Sequence, residues 1–112
     1  MWAARGGAGA LEGIPVAVKD NIDVAGLPTT DGTAFYVGRI ATRDASVVAR
    51  LPAAGAVIVG KLNMHEGALG ATTDSPFWGR CQNPAAPGHT TGGSAVAVAA
   101  GRRRRWRRGW WR

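Results

Sequence analysis

The residues best suited to chemistry in this chain are Lys19 and Asp20, which follow a short apolar run at residues 14–18. Such a run, bounded by Gly13 and Asp20, is typical of a fully buried strand. Lysine is a costly residue with which to end a buried strand, because its ammonium group loses its hydration unless it is paired or neutralised. Burial also lowers the pKa of a lysine toward the range in which a general base works. The pattern therefore indicates either a lysine base or a lysine that is paired with Asp20.

A second candidate is Ser94, which follows Gly92 and Gly93 and precedes an Ala/Val-rich run at residues 95–100. A glycine-rich loop can bring a hydroxyl group and backbone amides close to a substrate carbonyl. The same serine could instead cap a helix over residues 94–100, because serine is among the preferred N-cap residues. Both interpretations stay open on the residues alone.

Four short motifs follow one another between residues 13 and 94. They are Gly13-Ile14-Pro15-Val16-Ala17-Val18-Lys19-Asp20, Gly26-Leu27-Pro28-Thr29-Thr30, Gly55-Ala56-Val57-Ile58-Val59-Gly60-Lys61-Leu62-Asn63-Met64-His65-Glu66 and Gly92-Gly93-Ser94. In this order they resemble the N-terminal part of the amidase signature family, over about residues 11–101. The resemblance implies an α/β fold with a mixed sheet and flanking helices, of which this chain would form an incomplete part.

The resemblance also implies an activity, the hydrolysis of carbon–nitrogen bonds in small-molecule amides by a Ser–Ser–Lys triad without a cofactor or a metal. Lys19 would be the base and Ser94 the bridging serine. Supporting roles around the substrate pocket are implied for Lys61, Asn63, Met64, Glu66, Gly92 and Gly93. Two activities of the family fit these residues, that of a free-standing amidase and that of the amidotransferase subunit that supplies ammonia to misacylated tRNA.

The glycine-rich loop departs from the family pattern. The family motif Gly-Gly-Ser-Ser-Gly-Gly-Ser is represented here by Gly92-Gly93-Ser94 alone. Counting forward from the preceding Asn-Pro pair favours a four-residue deletion, which leaves Ser94 as the bridging serine. Counting back from the Ala/Val-rich run places Thr90 and Thr91 at the two serine positions, and Ser94 then only caps a helix. In either alignment the loop is altered.

The family's nucleophile motif, Gly-Thr-Asp-x-Gly-Gly-Ser, is absent from the chain, and no serine follows Ser94. A lysine and a bridging serine have nothing to activate without a nucleophile. We therefore expect this chain to be inactive on its own.

Basic residues are concentrated at the end of the chain. Residues 102–112, the tail, hold seven of the fourteen Lys and Arg residues and no acidic residue, so residues 1–101 are neutral although the net charge is +7. Arginine together with tryptophan is typical of nucleic-acid- or membrane-binding segments, so one alternative is a small basic binding protein built on a truncated amidase scaffold. The same composition arises when GC-rich codons are translated out of frame. We favour this second interpretation of the tail, and we therefore expect no specific nucleic-acid or membrane partner. The tail and the Ala/Gly-rich leader at residues 1–10 are expected to be disordered.

Composition excludes several other classes of protein. The single cysteine, Cys81, excludes an internal disulfide and is typical of a small, partly buried residue. His65 and His89 have no metal-ligand spacing with each other or with Cys81. No apolar run approaches the roughly 18 residues of a membrane span, and the N-terminus lacks a secretory signal, so a cytoplasmic location is expected.

One helix is expected between the first and third motifs, over residues 45–51. Asp44 is a suitable N-cap for it, and Pro52 should bend or end it because proline removes a backbone donor. The other expected elements are a loop at 21–32, a second buried strand at 56–59 ended by Gly60, a turn and short helix at 61–69, and an extended loop at 70–91. The order strand, helix, strand predicts a parallel pair of strands.

Overall fold

A computed structural model gives the fold of this chain and describes residues 9–93. Ser94, the expected helix over residues 94–100 and the tail lie outside the described residues, as do the first eight residues of the leader.

Two parallel strands form the centre of the fold. β1 (Pro15–Lys19) pairs with β2 (Val57–Leu62), and the single α-helix of the described residues lies between them in the sequence. A parallel pair needs a long connection, which a helix commonly provides. The predicted strand–helix–strand order is confirmed, and the described residues are a partial α/β fold.

The pairing of these strands contains a bulge at Val59. The register shifts by one residue between Val16 and Ala17, so Val59 has no partner of its own in β1. Gly60 has a φ of +148°, which side chains disfavour, and it can therefore absorb the extra residue. The prediction that Gly60 ends the strand is wrong, because pairing resumes at Gly60 and brings Lys61 into the sheet.

Both strands are less buried than the sequence predicts. Val57 and Val59 are 53% and 50% exposed, and Ile14 is 50% exposed. The reason is that the sheet holds only two strands in the described part of the chain, which leaves side chains uncovered. A small core forms around Val18, Val24 and Val48, with Ile22, Leu27, Ala45 and Ile58 packed against it.

The helix, α1 (Ser46–Ala53), begins and ends close to the predicted positions but is capped differently. Its N-cap is Ala45, which makes no side-chain cap. The expected cap, Asp44, instead accepts a hydrogen bond from the backbone N–H of Ala25 at 2.7 Å and so ties the loop after β1 to the start of the helix. The helix ends one residue after Pro52, as a proline in the last turn predicts.

The segment after β2 is less helical than predicted. Residues 61–69 contain the end of β2 and a single 3-10 turn, Glu66–Ala68, in which Gly67 has a φ of +57°. A residue in the left-handed region does not continue a right-handed helix, so the turn stays short.

Two short strands interrupt the expected loop at residues 70–91. β3 (Asp74–Ser75) and β4 (Gly79–Arg80) form an antiparallel hairpin. Residues 21–32 form a loop as predicted, and a second 3-10 turn, Ala34–Tyr36, follows it.

Candidate active site

Lys19 is the last residue of β1, where its backbone pairs with Leu62. The preceding residue, Val18, pairs with Lys61. Because successive residues of a strand face opposite sides of the sheet, Lys61 shares the face of Val18, and Lys19 lies on the other face with Leu62. Val18 is buried in the core, whereas Lys19 is only partly buried. The two lysines of the chain are therefore close neighbours in the sheet, but their side chains lie on opposite faces of it.

Asp20 and Lys61 form an ion pair at the end of β1. Oδ1 of Asp20 lies 3.2 Å from Nζ of Lys61, and the two side chains are 15% and 13% exposed. The same ammonium group donates to the carbonyl of Pro28 at 2.9 Å and to Oγ1 of Thr29 at 3.1 Å. Three oxygen partners match the three donors of an ammonium group. Lys61 therefore ties the loop at residues 28–29 to the end of β1.

Every polar group of Asp20 is engaged. Its Oδ2 accepts from the hydroxyl of Thr30 and, at 3.1 Å, from the backbone N–H of Thr30. Its own N–H donates to the carbonyl of Leu62, and its carbonyl accepts from Asp31, both at 3.1 Å. Because Asp20 directly follows Lys19, these contacts fix the backbone from which the Lys19 side chain extends.

An arginine holds the outer side of the same loop. Both guanidinium ends of Arg39 donate to the carboxylate of Asp23, at 2.8 and 3.0 Å, and one donates to the carbonyl of Thr29 at 3.4 Å. The hydrogen bond from Arg39, followed by one from Thr29, lowers the pKa of Asp23 below its usual value. Thr29 is thus held by Lys61 from within and by Arg39 from outside.

The loop contacts the segment after β2 through Gly32. A Cβ atom at Gly32 would lie 3.0 Å from Cγ and from the carbonyl oxygen of Met64, and 3.2 Å from Cα of Glu66. Met64 is fully buried, while the Glu66 side chain is exposed at the start of the 3-10 turn. Among these residues, Met64 packs against the loop through its side chain and Glu66 approaches it through its backbone.

Asn63 joins the end of β2 to the hairpin. Its Nδ2 donates to the carbonyl of Gly79 at 3.1 Å, and its Oδ1 accepts from the N–H of Met64 at 2.9 Å. Cys81 lies close by, and burial raises the pKa of its thiol while a hydrogen bond with Asn63 acts in the opposite direction. Cys81 is partly buried, as its composition-based interpretation predicts.

Two threonine side chains form hydrogen bonds with the backbone of the glycine-rich loop. Gly92 and Gly93 have φ values of +68° and +76°. The N–H of Gly92 donates to Oγ1 of Thr90 at 3.2 Å, and that hydroxyl donates to the carbonyl of Thr72 at 3.3 Å. Oγ1 of Thr73 donates to the carbonyl of Gly93 at 2.8 Å.

Ser75 completes a path of contacts between the end of β1 and the glycine-rich loop. Its hydroxyl donates to the carbonyl of Gly32 at 3.1 Å and accepts from the N–H of Trp78 at 3.0 Å. Gly32 in turn donates to Oγ1 of Thr30 at 3.3 Å, and Thr30 binds Asp20. The structure thus connects the Lys19 end of β1 to the hairpin, whose neighbouring residue Thr73 binds the loop.

Sequence reasoning did not identify Thr73 or Ser75 as site residues. Both are buried polar residues, 0% and 2% exposed, and burial of a polar side chain is a property of the fold that no motif in this segment reveals. Thr29 and Thr30 belong to a motif that the sequence did single out, and both are buried here.

Between residues 9 and 93, no group of three His, Cys, Asp or Glu side chains is arranged to hold a metal ion. Over the same residues, no helix is long and apolar enough to cross a membrane.

Known proteins resemble this chain both in sequence and in structure, and they belong to the family that its motifs indicated. A family model described as Amidase matches residues 3–102. Indoleacetamide hydrolase of Pseudomonas syringae pv. syringae is 53% identical over 95 residues, which cover 81% of this chain and 21% of that enzyme. A glutamyl-tRNA(Gln) amidotransferase subunit of Anaeromyxobacter sp. (strain K) is 50% identical over 95 residues, covering 81% of this chain and 19% of that protein.

A solved structure agrees with these matches. The glutamyl-tRNA(Gln) amidotransferase subunit of Thermotoga maritima superposes with a TM-score of 0.71 and 38% identity, over 79% of this chain and 20% of that chain. This chain therefore spans about a fifth of the length of the relatives it matches. With a family match over most of its residues, and with the parallel pair and lysine motif in place, the chain belongs to the amidase signature family.

Proposed function

We propose that this chain is the N-terminal part of a cytoplasmic enzyme that hydrolyses the carbon–nitrogen bond of a small carboxamide, with Lys19 as the base of a Ser–Ser–Lys triad. The observation that carries the proposal is the fixation of Asp20. Its backbone and both carboxylate oxygens are bound, to Leu62, Asp31, Lys61 and Thr30, and so the Lys19 amine extends from a rigid strand end. Catalysis by a general base requires such a defined position before it requires a suitable pKa.

The proposed reaction needs no cofactor. A neutral lysine amine takes the proton of a bridging serine hydroxyl, which takes the proton of a nucleophilic serine as that oxygen attacks the amide carbonyl. As the tetrahedral intermediate collapses, the lysine ammonium returns its proton through the bridging serine to the leaving nitrogen, and ammonia or an amine departs. Water then hydrolyses the acyl-enzyme. Backbone amides of the glycine-rich loop are the groups suited to stabilise the oxyanion.

A chimera tests the role of Lys19. Residues 11–83 of this chain replace the matched segment of the Pseudomonas syringae indoleacetamide hydrolase, which keeps its own glycine-rich loop and all that follows. We expect the chimera to release ammonia from indoleacetamide and Lys19→Ala to abolish that release. The matched control is Arg50→Ala, an exposed basic residue of α1. Persistent turnover in a folded Lys19→Ala chimera would refute the proposed base.

The 112-residue chain is proposed to have no turnover by itself, because no serine follows Ser94. Ammonia release from a simple amide should equal that of buffer. Turnover that disappears in Lys19→Ala would show that the nucleophile lies within this chain and that the proposal misplaces it.

A second candidate is a component of glutamyl-tRNA(Gln) amidotransferase, which the 50% identical Anaeromyxobacter relative favours. Its identity to this chain is close to the 53% of the hydrolase over a segment of the same length. We therefore propose that this segment supplies the shared lysine machinery and that other segments select the substrate. Residues 11–83 should then support ammonia release equally well when placed in either relative. Support in only one of them would assign the segment to that activity.

A further inference from the structure

Thr73 has an unusual backbone conformation. Its φ is +48°, in the left-handed region, and its side chain is 0% exposed. A β-branched residue rarely adopts this region, because its Cβ substituents crowd the backbone. Residues held in such conformations persist where their surroundings determine them, and they concentrate at functional sites.

The contacts of Thr73 explain what this conformation achieves. Its hydroxyl donates to the carbonyl of Gly93 at 2.8 Å, and its own carbonyl accepts from the N–H of Cys81 at 3.1 Å. The disfavoured backbone conformation therefore occurs at a buried residue whose hydroxyl binds the loop.

The glycine-rich loop depends on such outside contacts. Gly92 and Gly93 have no side chains with which to fix their own positions, and both have positive φ values that glycine reaches freely. The carbonyl of Gly93 belongs to the planar peptide unit that also contains the nitrogen of Ser94. A hydrogen bond to that carbonyl thus constrains the Gly93 end of the loop.

We propose that Thr73 is a positioning residue, whose hydroxyl fixes the Gly93 carbonyl of the glycine-rich loop. The importance of the loop for catalysis rests on the proposed amidase function. The hydrogen bond between Thr73 and Gly93 does not depend on turnover and can be tested without it. Thr73 acts through the loop backbone rather than on the reacting atoms.

The test uses the full 112-residue chain, its Thr73→Val and Thr73→Ser variants, and Thr72→Val as the matched control. Valine keeps the branched shape and removes the hydroxyl, whereas serine restores the hydroxyl. Thr72 is the neighbouring threonine, and its hydroxyl lies 3.1 Å from Nδ1 of His65 instead of at the loop. The readouts are the backbone NMR shifts of Gly92 and Gly93 and the hydrogen-exchange rate of the Gly92 amide.

We expect Thr73→Val to shift both glycines and to speed exchange at Gly92 by roughly two- to tenfold, the loss that one hydrogen bond supports. Thr73→Ser should restore both values, and Thr72→Val should leave them unchanged. Equal effects of the two valine variants would overturn the proposal. So would a Thr73→Val effect that is spread evenly over the β1–β2 amides, because that pattern marks general stabilisation of the fold.

The unmodified chain gives a measurement that does not depend on the folding of any variant. A nuclear Overhauser effect is expected between the side-chain protons of Thr73 and the backbone protons of Gly93. Its absence would overturn the proposal whatever the variants show. Failure of the proposed function is detected separately, by turnover that persists in the Lys19→Ala chimera.

Discussion

The carboxylate of Asp20 lies 3.2 Å from the ammonium group of Lys61 and joins the ends of two parallel strands across the face opposite to Lys19. Removing two charges from water is costly, so such a pair adds little to stability when compared with two well-packed apolar residues. Its effect is to select one arrangement of the strand ends and the neighbouring loop, because an arrangement that separates the two groups would leave a buried charge without its partner. The pair therefore fixes where the loop at residues 28–30 lies.

Loss of the lysine alone should destabilise the chain strongly. Lys61→Met leaves the Asp20 carboxylate largely buried and without its cation, and we expect the free energy of unfolding to fall by about 3 kcal/mol, the lower end for broken buried pairs because some exposure remains. The double variant Asp20→Asn, Lys61→Met should recover part of this loss. Urea unfolding measures all three. Arg39→Met, which breaks the exposed pair with Asp23, is the control and should have a much smaller effect. Equal losses for Lys61→Met and Arg39→Met would contradict the importance given to burial.

Glycine is required at position 32 for space as well as for conformation. Gly32→Ala should cost about 1–2 kcal/mol for a left-handed residue and about 1–3 kcal/mol more for the clash with Met64 and the Glu66 backbone. Gly26→Ala is the matched control, because Gly26 has a similar φ of +79° against +71° but nothing within 4 Å of its Cβ position. The difference between the two variants in urea unfolding isolates the clash. No difference would mean that the loop moves away from Met64 at little cost.

The sequence predicted the parts of this fold that depend on local pattern. The apolar run before Lys19 gave β1 nearly to the residue, and the proline at position 52 marked the end of the helix. The bulge at Val59 was not predictable, because Gly60 reads locally as a strand terminator and only the partner strand decides whether pairing resumes. Burial of the strands depends on neighbours that a local pattern does not contain.

The candidate site shows the same division. Lys19 follows from its own motif, but the choice of Lys61 as partner of the Asp20 carboxylate depends on strand register, which the bulge shifts. Thr73 carries no motif, since its left-handed backbone and its contact with Gly93 arise from two segments twenty residues apart. Tertiary contacts of this kind override what the sequence suggests for each residue alone.

The Asp23–Arg39 pair should make stability depend on pH in acid. The folded chain lowers the pKa of Asp23 from its ordinary value of 3.8, so the unfolded chain binds the proton more readily. The contribution is therefore fully present above pH 3.8 and is lost as the pH falls through the lower folded value. Urea midpoints measured from neutral pH into acid should show a smaller decline for Asp23→Asn than for the unmodified chain. Asp74→Asn, at an exposed hairpin position, is the control, and an equal decline in all three would contradict the assignment.

The single cysteine reports on the packing between Asn63 and the hairpin. Burial raises the pKa of the Cys81 thiol, so less of the reactive thiolate is present at a given pH. We expect alkylation by iodoacetamide to be slower in the folded chain than in concentrated urea, and its pH–rate midpoint to be displaced to higher pH. Because the chain has one cysteine, mass spectrometry gives the rate directly. Identical rates in buffer and in urea would contradict the burial of this thiol.

Deletion of the tail tests whether residues 102–112 contribute to nucleic-acid binding, to the stability of residues 11–101, or to both. The sequence predicts that residues 102–112 have no fixed structure, because seven arginines within eleven residues repel one another and each loses up to about 2 kcal/mol of rotamer freedom when ordered. Deletion should leave the free energy of unfolding unchanged and abolish binding to single-stranded nucleic acid. Before deletion, that binding should weaken with salt along a log–log slope of up to about −5, if all seven arginines neutralise phosphates. Such binding follows from composition alone and does not establish a nucleic-acid partner.

A loss of stability on deletion would show that the tail packs against the rest of the chain, and its interpretation as an out-of-frame translation product would then be wrong.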